Sequence, residues 1–299
     1  MQSMRLYVIN LERATDRRAS VEGQLGRLAP LTEFIPACDG HAVDFSIETY
    51  ADLLAPDLRG GTFKPGAFAC FLSHAMAWER IGSGAEPYGL VLEDDIVLNE
   101  SGIANFPLLA VPPDADVVFV NSRMHKLAIA AEWLPDYSAI ANADRWMDRT
   151  MEQNTRPLPD IPTFYRVATV LERLFSANYY GDSFFATGGD GYLISKAGAR
   201  RLTAMLHSRK IRMGVDYAMV LHGLTPDFVQ NATKSQLEIM PTFCRNFVLR
   251  ERAWLARNDA QAMGLQTYIY TPQWLVKTDL QTNFPSTIQH NITAKIGLA

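Results

Sequence analysis

Three acids in a row, Glu93-Asp94-Asp95, stand between two apolar runs, Leu90-Val91-Leu92 and Ile96-Val97-Leu98. Carboxylates crowded at the edge of a core repel one another, and each buried charge without a partner costs on the order of several kcal/mol. A divalent cation removes that cost. Hard oxygen ligands suit Mg2+ or Mn2+, which bind carboxylates together with waters and substrate phosphates. In an extended segment Glu93 and Asp95 project to one side and Asp94 to the other. The chemistry that fits is a metal held against a phosphorylated substrate. The competing reading is a solvated acidic turn after a strand, which apolar flanks on both sides make the weaker one.

Positioning the triplet falls to residues 88–92, which read as a buried central strand running straight into it. Residues 4–10 form a second continuous apolar run, the signature of a strand covered on both faces. A polar loop from Leu11 to Thr15 follows, then a helix to about Leu28 with Val21, Leu25 and Leu28 on one face. Residues 31–36 and 117–120 read as further strands, 67–81 as a buried helix, 192–194 as a strand and 196–207 as a helix. Another helix follows Val215-Asp216, and Asp39-Gly40 is a turn signal. Strands alternating with helices predict an α/β fold, a Rossmann-type, mostly parallel sheet flanked by helices. Ligands in such sheets bind beyond the carboxyl ends of the strands. That rule singles out Asn10, Arg13 and Arg17 after the first strand, since a guanidinium's planar fork of donors suits a diphosphate. Arg18 reads as part of a solvated helix face. Residues 123–185 carry Pro, Trp and Tyr without a clean period and read as an inserted, partly helical region. The last forty residues read as a polar tail that wraps the body. The expectation is one domain over 1–299 in three parts: 1–122, an insertion at 123–186, and 187–299.

Composition narrows the class. Of 299 residues, 48% are hydrophobic and 20% charged, and the net charge is −4, so there is no basic footprint for nucleic acid. Cys38, Cys70 and Cys244 are too far apart for a CxxC metal or redox site. No charged region followed by an apolar run opens the chain, and no stretch is apolar enough to span a bilayer. The expectation is a cytoplasmic enzyme, at most peripheral at the inner face of the cell membrane. Sequons at Asn99, Asn231 and Asn291 read as chance matches.

Six segments in order resemble glycosyltransferase family 25. They are Val8-Ile9-Asn10-Leu11-Glu12-Arg13 with Asp16-Arg17-Arg18; Ala37-Cys38-Asp39-Gly40; Cys70-Phe71-Leu72-Ser73-His74 through Trp78; Leu92-Glu93-Asp94-Asp95; the run Gly191 to Ala199; and Val215-Asp216. The resemblance implies a GT-A-like transferase that moves a sugar, often galactose, from a UDP-sugar to a saccharide or glycolipid acceptor of lipopolysaccharide or lipooligosaccharide. It implies an inverting reaction and a Mn2+ or Mg2+ cofactor. Glu93 and Asp95 would hold the metal, with His290 as a late further ligand. Asn10, Leu11, Arg13, Arg17, Asp39, Gly40, Ser73, His74 and Asp94 would contact the donor. Asp216, and next Asp190, would take the proton from the acceptor hydroxyl. Without the resemblance, His74 reads as a hydrogen-bonded core histidine and Asp216 as a helix cap. Where the family has an acid before its cysteine, in the form Gly-Glu-x-Gly-Cys, this chain has Gly66-Ala67-Phe68-Ala69-Cys70. Two other classes compete: a catalytically silent nucleotide-sugar-binding protein on the same fold, and a metal-dependent phosphohydrolase. The latter would need further Asp, His or Asn ligand motifs at other strand ends.

Overall fold

The computed structural model describes residues 4–44, 48–58, 63–137, 160–176, 188–240, 242–258 and 264–278. The chain opens with β1 (Met4–Asn10), α1 (Thr15–Leu25), β2 (Thr32–Pro36), α2 (Glu48–Leu53), the long α3 (Pro65–Ser83) and β3 (Tyr88–Leu92). Next come β4 (Ile96–Leu98), α4 (Glu100–Ala104), β5 (Val117–Phe119), α5 (Ser122–Tyr137), β6 (Phe164–Arg166) and α6 (Val167–Ser176). The last third holds β7 (Gly191–Ser195), α7 (Lys196–Arg209), α8 (Val215–Leu221), α9 (Pro226–Asn231), α10 (Lys234–Ile239), α11 (Thr242–Leu255), β8 (Thr267–Tyr270) and β9 (Val276–Thr278).

Seven strands make one sheet in the order β2-β1-β3-β7-β5-β8-β6, and β4 and β9 form a separate antiparallel ribbon. Strands β2, β1 and β3 are parallel, as are β5 and β8; β7 and β6 run against their neighbours. The α/β class and the mostly parallel direction therefore hold, with β7 reversed at the centre. Alternation along the strands sorts side chains into two layers. Leu6, Val8, Leu90, Leu92 and Leu193 face α1 through Val21 and Leu25. Tyr7, Ile9, Val91, Phe119 and Tyr192 face the larger layer, which includes Trp78 of α3 and Phe247 of α11. Gly89 lets α3 sit close on β3: a Cβ there would lie 2.5 Å from Ile81 Cδ1.

Two stretches differ from the reading of the sequence. The expected C-terminal tail is, in its described part, structural: Thr267–Tyr270 is a fully buried strand between β5 and β6. Its threonine and tyrosines look polar, but tyrosine buries its ring while the hydroxyl finds a partner. Tyr268, for instance, donates to Asp114 Oδ1 at 2.9 Å. The region read as an insertion supplies the edge strand β6, and α5 and α6 bury Met124, Leu127, Val170 and Leu174 in the main core. Among the described residues no helix is long and apolar enough to cross a membrane.

Candidate active site

Because β1 and β3 are parallel with Val8 opposite Leu92, the residues that follow them leave the sheet at the same edge. That edge carries Asn10 and the acidic triplet. Strand β7 enters alongside in the opposite direction, with Gly191 opposite Leu92. The loop before it is thereby laid against Glu93, whose backbone N–H donates to the Asp190 carbonyl at 3.3 Å. Helix α3 presents Cys70, Ser73 and His74 on one face, as spacings of three and four require. The first turn of α8 adds Asp216. A Cβ on Gly189 would lie 2.8 Å from Asp216 Oδ1, 3.2 Å from Glu93 Oε1 and 3.2 Å from His74 Cε1. Three functional side chains thus converge on a point that only glycine leaves open.

In front of this cluster lies a cleft of about 520 Å³. One wall comes from the exits of β1 and β2: Leu11, Arg13, Asp39 and Gly40. The other is the N-terminus of α3, which begins at Pro65 and has no side-chain cap. Its free backbone N–H groups and the positive end of a 19-residue helix make a place for an anion. Glu93, Asp94 and Asp95 close the floor. Asp190 and Asp216 do not line the cleft; they sit behind Glu93.

Each expected donor contact has a definite place. Arg13 pairs with Asp39 at the rim, and Asp39 Oδ1 also accepts the His41 backbone N–H at 3.0 Å. Ser73 Oγ accepts the Cys38 N–H at 2.9 Å and donates to the Ala69 carbonyl at 2.7 Å, so it ties the β2 exit to α3. Asn10 is buried and donates to Asp94 Oδ2 at 2.8 Å. Arg17, also buried, donates to Asp94 Oδ1 at 2.9 Å and lies 3.7 Å from Asp95 Oδ2. Asp94 and Arg17 line the cleft, but their charges largely neutralise each other. Arg18 stacks on Phe34 at 4.2 Å and pairs with Glu22 at 2.9 Å, on the outer face of α1. His290 lies outside the described residues.

The remaining acids are less well compensated. Burial, then the charge of Glu93, pushes Asp95 up to about 7 despite Arg17. Glu93 and Asp216 are raised by burial and by facing other carboxylates, and Asp190 is raised by burial. Among the described residues, Oδ1 of Asp95 and Oδ1 of Asp190 are buried without a hydrogen-bond partner, although Asp190 Oδ2 accepts the Thr278 hydroxyl. Orphaned carboxylate oxygens with raised affinity for protons are what a hard divalent cation would satisfy. Glu93, with 30% of its side chain open to the cleft, and Asp95 are the residues that could hold it.

A tighter triad of potential ligand atoms also forms here, Cys70, His74 and Glu93, all within 4.8 Å of one another. Hydrogen bonds fix the position of the His74 ring. Trp78 Nε1 can only donate, and it donates to the Tyr192 hydroxyl at 2.8 Å. That hydroxyl lies 2.9 Å from His74 Nδ1 and engages it. Nε2 is left 3.4 Å from Glu93 Oε1, buried and without a hydrogen-bond partner among the described residues. Burial pulls His74 down to about 4, so the ring is neutral. The Cys70 thiol, raised well above its usual range by burial and three carboxylates, stays protonated.

Several residues of the site were missed from sequence. Arg123, at the start of α5, lowers the proton affinity of Glu93, Asp190 and Asp216. It is a single arginine in an unperiodic stretch and gave no signal. Asn121 Nδ2 donates to the Gly188 carbonyl at 2.8 Å and the Gly191 carbonyl at 3.2 Å, holding the glycine loop. Its position just after strand β5 was the available clue.

The sequence profile described as "Glycosyltransferase family 25 (LPS biosynthesis protein)" matches residues 4–219. The chain is 31% identical over 121 residues to the lacto-N-neotetraose biosynthesis glycosyltransferase LgtB of Neisseria meningitidis, covering 39% of this chain and 43% of that protein. It is 30% identical over 95 residues to the lipooligosaccharide biosynthesis protein lic2B of Haemophilus influenzae, covering 32% and 35% respectively. A mouse protein named as an inactive glycosyltransferase 25 family member is 31% identical over 96 residues, 30% of this chain and 16% of that one. The matched regions thus span less than half the length of these relatives. With the profile running from β1 through the Glu93 triplet to Asp216 in α8, the chain belongs to glycosyltransferase family 25.

Proposed function

We propose that this chain is a metal-dependent, inverting glycosyltransferase of GT-A type that moves a sugar, galactose in the first instance, from a UDP-sugar to a saccharide acceptor of lipopolysaccharide or lipooligosaccharide. The observation that carries the reading is the cleft itself. An uncapped helix N-terminus and Arg13 face a floor of carboxylates, which together fit a diphosphate bridged by a cation. The relatives named for lipooligosaccharide and lacto-N-neotetraose biosynthesis support the acceptor class.

Mn2+ or Mg2+ held by Glu93 and Asp95 would supply Lewis-acid neutralisation of the departing diphosphate. The chain's own residues do the rest. The exits of β1 and β2 hold the nucleoside, and the α3 N-terminus and Arg13 hold the phosphates. The acceptor hydroxyl attacks the anomeric carbon from the side away from UDP; the new C–O bond forms as the bond to the β-phosphate oxygen breaks. Asp216, behind Glu93 and outside the donor cleft, takes the hydroxyl proton. Its raised proton affinity suits a base working near neutrality.

The phosphohydrolase reading fits less well, because Asn10 and Asn121, at the ends of β1 and β5, are engaged within the protein. A silent binding protein remains testable, since one relative bears an inactive name. Screening UDP- and GDP-sugars for thermal stabilisation and for release of free nucleotide, with Mn2+ and with chelator, separates the readings. Stabilisation by a UDP-sugar with Mn2+-dependent UDP release is expected. Stabilisation without release under any acceptor would identify a binding protein, and no response to any nucleotide sugar would overturn the proposal.

A further inference from the structure

On the side of α3 that carries His74, one turn before it and one turn after it, Phe71 and Trp78 wall a second cavity, of about 300 Å³, between α3, α7, α8 and α11. Phe247 and Trp254 of α11 and Leu206 of α7 complete its apolar surface. The volume is at the lower end of the roughly 300–1,000 Å³ typical of small-molecule sites. Its polar part is one-sided. Arg209, Lys210, Arg212, Arg250 and Arg257 line it, with Glu251 as the one acid. Glu251 pairs with Arg209, and Asp57 pairs with Arg212 at 2.7 Å and Arg250 at 3.2 Å. Two carboxylates therefore answer five cations.

Two buried polar atoms on this cavity have no hydrogen-bond partner among the described residues, Arg209 Nη2 and His222 Nδ1. The Arg209 side chain is only 9% exposed, with its Cζ over the Trp254 ring, 3.8 Å from the centroid. An unsatisfied guanidinium N–H in such a place is costly, and an anionic oxygen is its strongest complement. At the cavity's edge Lys210 holds φ at +65°, the one non-glycine residue with positive φ among those described. Backbone strain of this kind persists where the surroundings hold it in place.

We propose that this cavity binds one molecule of a single-chain anionic amphiphile, with the alkyl chain among Phe71, Trp78 and Phe247 and a phosphate or carboxylate headgroup at Arg209 and Lys210. Apolar walls disfavour a free sugar or inorganic anion, and the unpartnered guanidinium disfavours a neutral lipid. The site is distinct from the donor cleft and does not rest on the transferase reading. One chain of contacts links the two: Trp78, which walls the cavity, donates to Tyr192, whose hydroxyl engages His74 in the donor cleft.

The test is titration of the full chain with decyl phosphate and decanoate below their micellar concentrations, with inorganic phosphate and a decyl glucoside as controls. One saturable site for the anionic amphiphiles is expected, with at least tenfold weaker binding of both controls. Lys210→Gly removes the ammonium and relieves the positive φ, so it should fold with an unchanged or higher Tm and bind several-fold more weakly. Arg209→Met should weaken binding further, read alongside circular dichroism and Tm. Equal binding of decyl glucoside or of inorganic phosphate would overturn the proposal, as would unchanged affinity in Lys210→Gly. Binding to phosphatidylglycerol vesicles but not to monomeric decyl phosphate would also overturn it and assign the basic face to a membrane surface.

Discussion

Asp216 lies in the first turn of α8, yet the cap position of that helix is Gly214 and no side chain fills it. The carboxylate is thus free of the capping role that its sequence position allowed, and it faces Glu93 and His74. Replacing it with asparagine keeps the shape and removes most of the basicity. Asp216→Asn should bind a UDP-sugar with Mn2+ at near wild-type affinity while transfer falls by roughly 10²–10⁴-fold, the contribution typical of a general base. Transfer within a few-fold of wild type would make Asp216 an acceptor contact; loss of donor affinity would move it into the metal or nucleotide shell. Arg13 would behave differently, because the phosphate contact proposed for it would persist from ground to transition state. Arg13→Ala should raise the donor KM by about tenfold, the low end for a hydrogen bond to a charged group, with kcat nearly unchanged. An unchanged KM would reduce Arg13 to the partner of Asp39. At this scale the sequence was informative where context marked a residue. Apolar flanks set off Glu93-Asp94-Asp95, and a strand end set off Asn10. It could not show that Arg17 pairs with Asp94 in the cleft wall, nor that Arg123 acts on the cluster from a distant segment, because both depend on packing between elements.

The elements that meet at the site were legible in proportion to their apolar continuity. Strands β1 and β3 are buried on both faces and read as unbroken runs, and α3 has an apolar stretch too long for a strand. Strand β8 was not legible, because Thr-Tyr-Ile-Tyr disguises four buried positions behind three hydroxyls. Strand β6 is a three-residue edge ending in Arg166, and it exists because β8 is there to pair with it. The Gly188–Gly191 loop shows how element placement becomes chemistry. The structure shows close approach, to the site's own acids. Gly189→Ala puts a methyl within 2.8 Å of Asp216 Oδ1 and 3.2 Å of Glu93 Oε1. Both are tips of side chains that can swing away, so Tm should change little. The displaced carboxylates are the proposed base and metal ligand, and a misplacement near 1 Å can cost about 10²-fold in rate. A large loss of kcat at near-normal Tm is expected. Unchanged kcat would mean that Asp216 and Glu93 tolerate displacement and that their present geometry does not matter for transfer.

Across the whole molecule, the acidic cluster should make stability depend on pH and metal together. Asp95 is raised from 3.8 to about 7 in the fold, and Glu93 and Asp216 are raised with it. A carboxylate whose folded pKa lies above its unfolded value contributes stability below the unfolded pKa. That contribution is lost as pH rises through the folded pKa, here between about 4 and 7. Buried histidines act in the opposite sense. His222 is held down to about 3 by burial and then by Arg209, so the unfolded chain takes up a proton that the folded chain refuses, and stability rises with pH up to about 6.5. The two effects overlap in a raw profile, so the informative quantity is a difference between variants. In chelator, Asp95→Asn should gain stability over wild type steadily from pH 5 to pH 8 and be clearly the more stable at pH 8, because the amide carries no charge to bury. Each tenfold change in proton affinity is worth about 1.4 kcal/mol, and a chain of this size shifts by roughly 2–4 °C per kcal/mol, so a gain of several degrees is expected. Mn2+ should raise the wild-type Tm more at pH 8 than at pH 5, since its ligands must be deprotonated, and should do so far less in the variant. Catalytic transfer should vanish in Asp95→Asn even as its stability rises. A variant less stable than wild type at pH 8, or a Tm difference that does not change with pH, would show that Asp95 holds the fold together as an ordinary partner of Arg17. The cluster would then be a structural ion network and not a site kept poised for a cation.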